Sequence, residues 1–143
     1  MSHDLKFLDF ETRIAITKLS RKHPIMKDAL ESLSFLPNAK FDIEFNTLDK
    51  RGTLNVILKS GHKMEYIGHF SLVEMYLDSY LTVTNSLLSV GTYVSYHQRG
   101  KGIATIFAKL KEDICKELDY ESMIALAWTR ISYGTSSVIT FLV

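Results

Sequence analysis

The feature that most constrains the fold is a strand, a glycine-containing turn, a helix and a second strand between residues 87 and 128. Leu87 to Val94 is a short apolar and β-branched run typical of a strand, and Ser122 to Trp128 is apolar on both faces, as in a buried strand. Between them, apolar residues recur at three- and four-residue intervals and predict a helix from about Gly102 to Leu118. This order predicts a right-handed βαβ unit with parallel strands.

The predicted helix divides into an apolar and a charged face. The apolar face is formed by Ile103, Ile106, Phe107, Leu110, Ile114 and Leu118. The solvent face is predicted to hold Lys109, Lys111, Glu112, Lys116 and Glu117. Cys115 is the single cysteine of the chain and lies at the edge of the apolar face, which predicts a reduced structural residue.

The turn before this helix has the composition of a phosphate-binding site. Gly100 and Gly102 let the backbone turn tightly and approach a ligand closely, and the first N–H groups of a helix point partial positive charge outward. Arg99 and Lys101 add two full positive charges at the same place. The turn is therefore predicted to bind a phosphate or pyrophosphate.

The order Arg-Gly-Lys-Gly-Ile-Ala from Arg99 to Ala104 resembles the acyl-coenzyme A binding motif of the GNAT superfamily of N-acetyltransferases. That motif is Gln or Arg, two residues, Gly, one residue, then Gly or Ala; Arg99, Gly102 and Ala104 match it, and the likeness covers about residues 68 to 128. The resemblance implies a GNAT-like α/β fold with N-terminal helices and a mixed, mostly antiparallel sheet carrying one parallel βαβ unit. It also implies acetyl-CoA dependent acetylation of a primary amine, in a small molecule or a protein.

The resemblance further implies which residues hold the coenzyme. The pyrophosphate is expected on the backbone N–H groups of Arg99, Gly100, Lys101, Gly102, Ile103 and Ala104, and the pantetheine arm on the backbone of Thr92, Tyr93 and Val94. The two parallel strands are expected to splay apart here, with the thioester in the gap. Catalysis needs a base and an acid. Tyr133 is the candidate acid, and Glu74 is the nearest upstream carboxylate, because none lies within Leu87 to Val94.

Other readings of the same glycines stay open. A dinucleotide-binding turn needs a third glycine where Thr105 stands, and too little chain follows the helix for that fold. A nucleotide P-loop motif is absent, and an ordinary solvated turn remains possible. Within the resembled fold, the alternatives to an enzyme are a non-catalytic acyl-CoA binding module and a protein-interaction domain.

Composition narrows the class of protein. The chain has 143 residues, 46% of them hydrophobic and 23% charged, which predicts one globular domain over residues 1–143. A net charge of +1 gives no sign of nucleic-acid binding. No apolar run is long enough to span a membrane and the first residues lack a signal-peptide core, so a cytoplasmic location is expected. The histidines have no metal-ligand spacing, so no metal is expected.

The remaining segments are predicted from their periodicity. Helices are expected at Phe10–Leu19 and Ile25–Leu36, and strands at Phe41–Phe45, Thr53–Lys59 and Lys63–Leu72. The resembled family begins with a strand, for which Leu5 to Leu8 is the one available segment. The final strand pair of the family is expected to be absent, and the open sheet edge this leaves predicts a homodimer.

Overall fold

The computed structural model describes residues 5–48, 51–74, 85–128 and 136–142. Three helices pack with a six-stranded sheet. The helices are α1 (Phe10–Thr17), α2 (Pro24–Glu31) and α3 (Ile103–Glu117). The strands are β1 (Lys40–Leu48), β2 (Arg51–Ser60), β3 (Glu65–Glu74), β4 (Ser86–Val94), β5 (Ser122–Trp128) and β6 (Ser136–Leu142).

The strands lie in the sheet in the order of the chain, from β1 to β6. Neighbours are antiparallel except β4 and β5, which are parallel and joined by α3. The predicted βαβ unit and the mostly antiparallel sheet are therefore confirmed. The helical segments and strands expected from periodicity are also present, with shifted ends.

One face of the sheet and all three helices share a single core. Along β2, buried residues alternate with half-buried ones, because side chains on a strand point to opposite faces in turn. The helices contribute apolar side chains to the same cluster as the strands. Its fully buried large members include Phe10, Met26, Phe41, Leu54, Leu58, Phe70, Leu72, Leu87 and Phe107. The second face of the sheet has no helix packed on it in the described ranges.

Side chains cap the first two helices. The Asp9 carboxylate accepts a hydrogen bond of 2.8 Å from the Thr12 N–H of α1, and the Glu74 carboxylate accepts one of 2.7 Å from the Phe10 N–H. At α2, the His23 ring accepts from the Ile25 N–H at 3.2 Å, and Pro24 occupies the first turn. The third helix begins differently, at a glycine.

The structure corrects three sequence-based expectations. Leu5 to Leu8, the one segment available for a first strand, does not form one: Leu5–Phe7 is a short 3₁₀ helix that buries Leu5. The final strand pair was expected to be absent, and one C-terminal strand, β6, is present and pairs along the whole of β5. Lys111 does not face solvent, because its position on α3 points it beneath β4.

No described helix has the length and apolar character needed to cross a membrane.

Candidate functional site

The turn between β4 and α3 leaves a row of backbone donors open. A short 3₁₀ helix, Tyr96–Gln98, leads into Gly100 and Gly102, whose φ angles are +79° and +86°. These left-handed angles suit glycine, and no described atom lies within 4 Å of where a Cβ would stand on either residue. Within the described chain, the six consecutive N–H groups from Gly100 to Thr105 have no hydrogen-bond acceptor.

This open helix start is specific to α3. In α1 and α2, side-chain oxygen or nitrogen atoms accept from the first N–H groups, whereas Gly102 has no side chain with which to cap α3. The unsatisfied donors and the positive end of the helix dipole face the same open space. The turn can therefore bind a phosphate group through backbone atoms, as predicted from its composition.

Two basic side chains flank this anion site. Arg99 folds back towards β4: its Nε donates to the Val94 carbonyl oxygen at 2.9 Å, and its guanidinium lies 5.4 Å from the centre of the Tyr93 ring. Lys101 donates to the Gln98 side chain at 3.0 Å and is exposed. The structure thus brings Arg99 and Lys101 to the rim of the turn.

The two parallel strands separate next to the turn. They pair over four positions, from Ser86 opposite Ser122 to Ser89 opposite Ala125. Beyond this point β5 is still paired with β6, and β4 is still paired with β3. Among the described residues, β4 and β5 are no longer paired with each other. We call the space between the separated strands the β4–β5 gap. It lies beside Thr92 to Val94, where the resemblance placed the pantetheine arm.

Backbone alternation shows which groups of β4 face this gap. The Ser95 N–H donates to the Ile67 carbonyl oxygen of β3, so the N–H and C=O of Val94 point to the opposite edge, and those of Tyr93 point to β3. A Cβ built on Gly68 would stand 2.5 Å from the Tyr93 carbonyl oxygen, which agrees with this direction. Val94 and Thr92, rather than Tyr93, therefore offer backbone groups to the gap.

A β-bulge lies at the head of the gap. The register of β3 with β4 shifts between His69 and Ser71, which leaves one extra residue in β4, where Gly91 has a φ angle of +65°. The βαβ unit, the separated parallel strands and the glycine turn now stand together. This arrangement agrees with the GNAT-like fold that the sequence resemblance implies.

No family model and no curated protein matches the sequence. Three acetyltransferases are among the solved structures that it resembles. An IAA acetyltransferase from Bacillus cereus is 19% identical with a TM-score of 0.46, over 55% of this chain and 47% of that chain. Nourseothricin acetyltransferase is 12% identical with a TM-score of 0.44, over 73% and 71% of the two chains. A spermidine N-acetyltransferase from Vibrio cholerae, in complex with CoA and spermine, is 13% identical with a TM-score of 0.40, over 85% and 68%. The chain thus spans about half the length of the Bacillus cereus protein.

On the helix-free face of this GNAT-like sheet, an aromatic cluster lies over the bulge. We define it as Tyr66, His69 and Tyr93. The Tyr66 hydroxyl is hydrogen-bonded to His69 Nδ1, and the Tyr66 and Tyr93 rings stack with centres 6.3 Å apart. His69 Nε2 lies 4.0 Å from where a Cβ on Gly91 would stand. The imidazole is thus fixed at one nitrogen while the other faces the bulge.

The cluster is partly open to solvent, with Tyr66 and Tyr93 each more than two-fifths exposed. Burial of the hydroxyl, with a smaller contribution from Tyr93, raises the pKa of Tyr66. The phenol therefore stays protonated around neutral pH. A neutral phenol oxygen can accept from Nδ1–H of His69, which is the tautomer that leaves a lone pair on Nε2.

On the helix side of the gap lies a buried lysine. The Lys111 side chain rises from α3, and its Nζ donates to the Ser89 hydroxyl at 3.0 Å and to the Thr92 hydroxyl at 2.8 Å. The residue is 8% exposed, and burial lowers the pKa of its ammonium group. Ser89 is the last β4 residue paired with β5, so this cation sits directly under the head of the gap.

Of the two catalytic residues predicted from the sequence, Glu74 is not placed in this site. Glu74 pairs with Leu87, at the opposite end of β3 from Gly68, and its carboxylate is engaged by the Phe10 N–H. Tyr133 lies outside the described residues. Within those residues, no group of three or more His, Cys, Asp and Glu side chains is arranged to hold a metal ion.

Sequence reasoning missed the aromatic cluster and Lys111. The cluster depends on the register of β3 with β4, where His69 stands directly opposite Tyr93. It also depends on the register shift between Leu58 and Lys59 of β2, which brings Tyr66 to the same face as His69. A glycine inside the predicted strand, Gly91, was a usable signal for the first of these irregularities, but it does not specify which side chains are brought together. The burial of Lys111 did have a signal: it lies four residues after the buried Phe107 and four before the buried Cys115, which places it on the same face of the helix.

Proposed function

We propose that this protein is an acetyl-CoA dependent N-acetyltransferase that acetylates a primary amine. The observation that carries the proposal is the run of unsatisfied N–H groups from Gly100 to Thr105 beside the free β4 edge. Such a run binds the pyrophosphate of a coenzyme without needing side chains, and the free edge of β4 can pair with an extended pantetheine arm. Acetyl-CoA is the co-substrate in this proposal.

In the proposed complex, the pyrophosphate lies against the turn, with Arg99 and Lys101 contributing charge. Arg99 has Nη groups beyond the Nε already used, and these can turn to a phosphate oxygen. The pantetheine amides pair with the Val94 N–H and with the backbone of Thr92. This places the thioester at the bulge, between the aromatic cluster on one face and Lys111 on the other.

Transfer then requires attack of a neutral amine on the thioester carbonyl. Most of the rate enhancement comes from holding the two groups in contact and stabilising the developing oxyanion. His69 is the base in this proposal: Nε2 accepts the proton from the attacking nitrogen, while Nδ1–H donates to Tyr66. The previously predicted role of Glu74 would require its carboxylate to leave the N-terminus of α1.

One observation favours a second candidate, an acyl-CoA binding module without catalysis. The Glu74 carboxylate, predicted as the base, accepts a hydrogen bond at the start of α1 instead of facing the gap, so it does not serve as a base there. The two candidates are distinguished by assaying acetyl transfer to a supplied acceptor amine. An enzyme transfers the acetyl group, whereas the module binds acetyl-CoA without transferring it.

The acceptor is a primary amine on a small molecule or a protein. We place the protein in the cytoplasm, where acetyl-CoA is available, and infer that two copies associate along the exposed edge of β6. An edge strand offers unpaired N–H and C=O groups to another chain.

Calorimetric titration with acetyl-CoA tests the binding claim. Gly102→Glu puts a carboxylate at the start of α3, where it repels the pyrophosphate, and we expect at least a ~100-fold loss of affinity from charge repulsion and blocked approach. The matched control is Gly61→Glu in the β2–β3 turn: Gly61 has a φ angle of +88° and the same open surroundings among described atoms, so it carries equal backbone strain away from the site. Absence of saturable binding by the unmodified protein, or equal loss in both variants, contradicts the proposal.

A further inference from the structure

Lys111 is chemically unusual among the described residues. A lysine that is 8% exposed keeps its ammonium group out of water, and this is costly unless an anion compensates. Its Nζ has two hydroxyl partners, Ser89 and Thr92, but no carboxylate partner in the described part of the chain. An ammonium group has three hydrogens, so one remains for a further acceptor.

The groups around Nζ do not neutralise it. From β4, the Ser89 and Thr92 hydroxyls accept hydrogen bonds from Nζ. From β3, the Phe70 ring lies with its centre 5.9 Å from Nζ. On α3 the facing titratable group is the Cys115 thiol, and burial raises the pKa of that thiol to about 12, so it carries no charge near neutral pH. Among the described residues, the cation is therefore held at the head of the β4–β5 gap without a neighbouring anion.

We propose that Lys111 is the acid of the transfer reaction, protonating the coenzyme A thiolate as it leaves at the head of the β4–β5 gap. This inference rests on the proposed function, because it needs the thioester at the bulge. The required group must lie beside the β4 edge, be shielded from water and hold a transferable proton. Among the described residues near Ser89 and Thr92, Lys111 meets all three conditions.

The proposed step balances. The acceptor nitrogen forms a bond to the carbonyl carbon, and the carbonyl electron pair moves to oxygen. When the carbonyl re-forms, the carbon–sulfur bond breaks and sulfur keeps the pair as a thiolate. The Lys111 ammonium gives one proton to sulfur and becomes a neutral amine, while His69 takes the proton released by nitrogen. Solvent then takes the proton from His69 and returns one to Lys111, leaving an amide and a free thiol.

A merely structural role for Lys111 makes different predictions. If the ammonium group only stabilises the bulge through Ser89 and Thr92, its removal should destabilise the protein and leave the pKa of the bound coenzyme A thiol unchanged. If it serves the leaving group, a lysine beside the sulfur must lower the pKa of the bound coenzyme A thiol. Replacement by methionine removes the buried charge and keeps an apolar chain, so it should leave stability equal or higher.

The test measures the pKa of the thiol of bound coenzyme A from its ultraviolet thiolate absorbance, with free coenzyme A as the reference. We expect the unmodified protein to lower this pKa by about one unit or more, and Lys111→Met to return it near the free value. The matched control is Lys116→Met, which removes an exposed lysine paired with Glu112 on the same helix. Thermal unfolding of each variant accompanies the titration.

The outcomes separate the two proposals. If coenzyme A does not bind the unmodified protein, the proposed function and this inference both fail. If it binds with a thiol pKa equal to that of free coenzyme A, or equally lowered in Lys111→Met, only the role of Lys111 is overturned. If the variant does not fold, a thiol pKa in the unmodified protein equal to that of free coenzyme A still overturns the role of Lys111.

Discussion

The orientation of the His69 ring is set by its two neighbours in the aromatic cluster. Tyr66 engages Nδ1, and the Tyr93 ring lies with its centre 6.1 Å from that of the imidazole. These contacts restrict the ring to one orientation, with Nε2 over the bulge in β4. A histidine fixed in this way can accept a proton without first reorganising, which is the property a general base needs.

We predict that His69→Gln lowers the turnover of acetyl transfer by about 100-fold, because glutamine cannot take the amine proton. Acetyl-CoA affinity should stay within about twofold in calorimetry, since the ring lies outside the pyrophosphate turn and makes no ionic contact to the coenzyme. Steady-state kinetics with an acceptor amine found by screening measures the effect.

His62→Gln is the control, because His62 is an exposed histidine in the β2–β3 turn. Full turnover in His69→Gln would contradict the assignment of the base. Tyr66→Phe should reduce turnover less than His69→Gln, because it removes only the group that orients the ring.

Single residues also show where sequence reasoning fails. Lys111 was placed on the solvent face because lysine is usually exposed, yet a residue's place on a helix is set by its angle around the axis. Its long apolar stem packs along the core while the charged end reaches Ser89 and Thr92. The residue type was a weaker guide than the four-residue spacing from Phe107.

At the scale of elements, Arg13 connects α1 to the end of α3. Its guanidinium donates to the carbonyl oxygens of Leu118 at 3.0 Å and Asp119 at 3.2 Å, and also to those of Leu8 and Lys6. It also stacks 3.9 Å from the centre of the Tyr120 ring. These carbonyl groups lie just after α3 and just before α1, so one buried side chain on α1 connects the two segments.

We predict that Arg13→Met lowers the free energy of unfolding by about 3 kcal/mol, because buried carbonyl groups lose charged donors. Chemical denaturation measures this value. Arg21→Met, at an exposed arginine in the α1–α2 connection, is the control and should change stability little. A loss below about 0.5 kcal/mol in Arg13→Met would contradict the connecting role.

Most elements could be predicted from the sequence because their patterns are local. The alternation in β2 and the helical spacing in α3 reflect burial on one side, and both appeared where expected. Leu5–Phe7 and β6 were harder. A short apolar segment forms a strand only if a partner strand is beside it, and pairing with β5 is a tertiary property that the sequence of β6 does not contain.

At the scale of the whole molecule, the candidate site forms where three elements meet. The turn before α3 was predictable because its glycines and basic residues are contiguous. The free edge of β4, the aromatic cluster and Lys111 converge only through strand register, a bulge and helix packing. The half of the site proposed to bind the coenzyme was therefore accessible from sequence, and the proposed catalytic half was not.

The outermost position of β6 leads to a prediction about assembly. If two copies pair along this edge, sedimentation velocity should show a species of twice the monomer mass whose fraction rises with protein concentration. A monomer that is independent of concentration would remove the dimer from the account. Coenzyme A should not alter the dimer fraction, because the β4–β5 gap lies inside the sheet.

The most direct test of the central claim is nuclear magnetic resonance of backbone amides during titration with coenzyme A. Coenzyme binding at this turn predicts that the largest shift changes occur at the N–H groups from Gly100 to Thr105, with further changes at Val94 and Thr92 on the free edge of β4. Saturating shifts confined to those residues would support coenzyme binding at the turn. Unchanged amides there, or saturating shifts elsewhere alone, would contradict it.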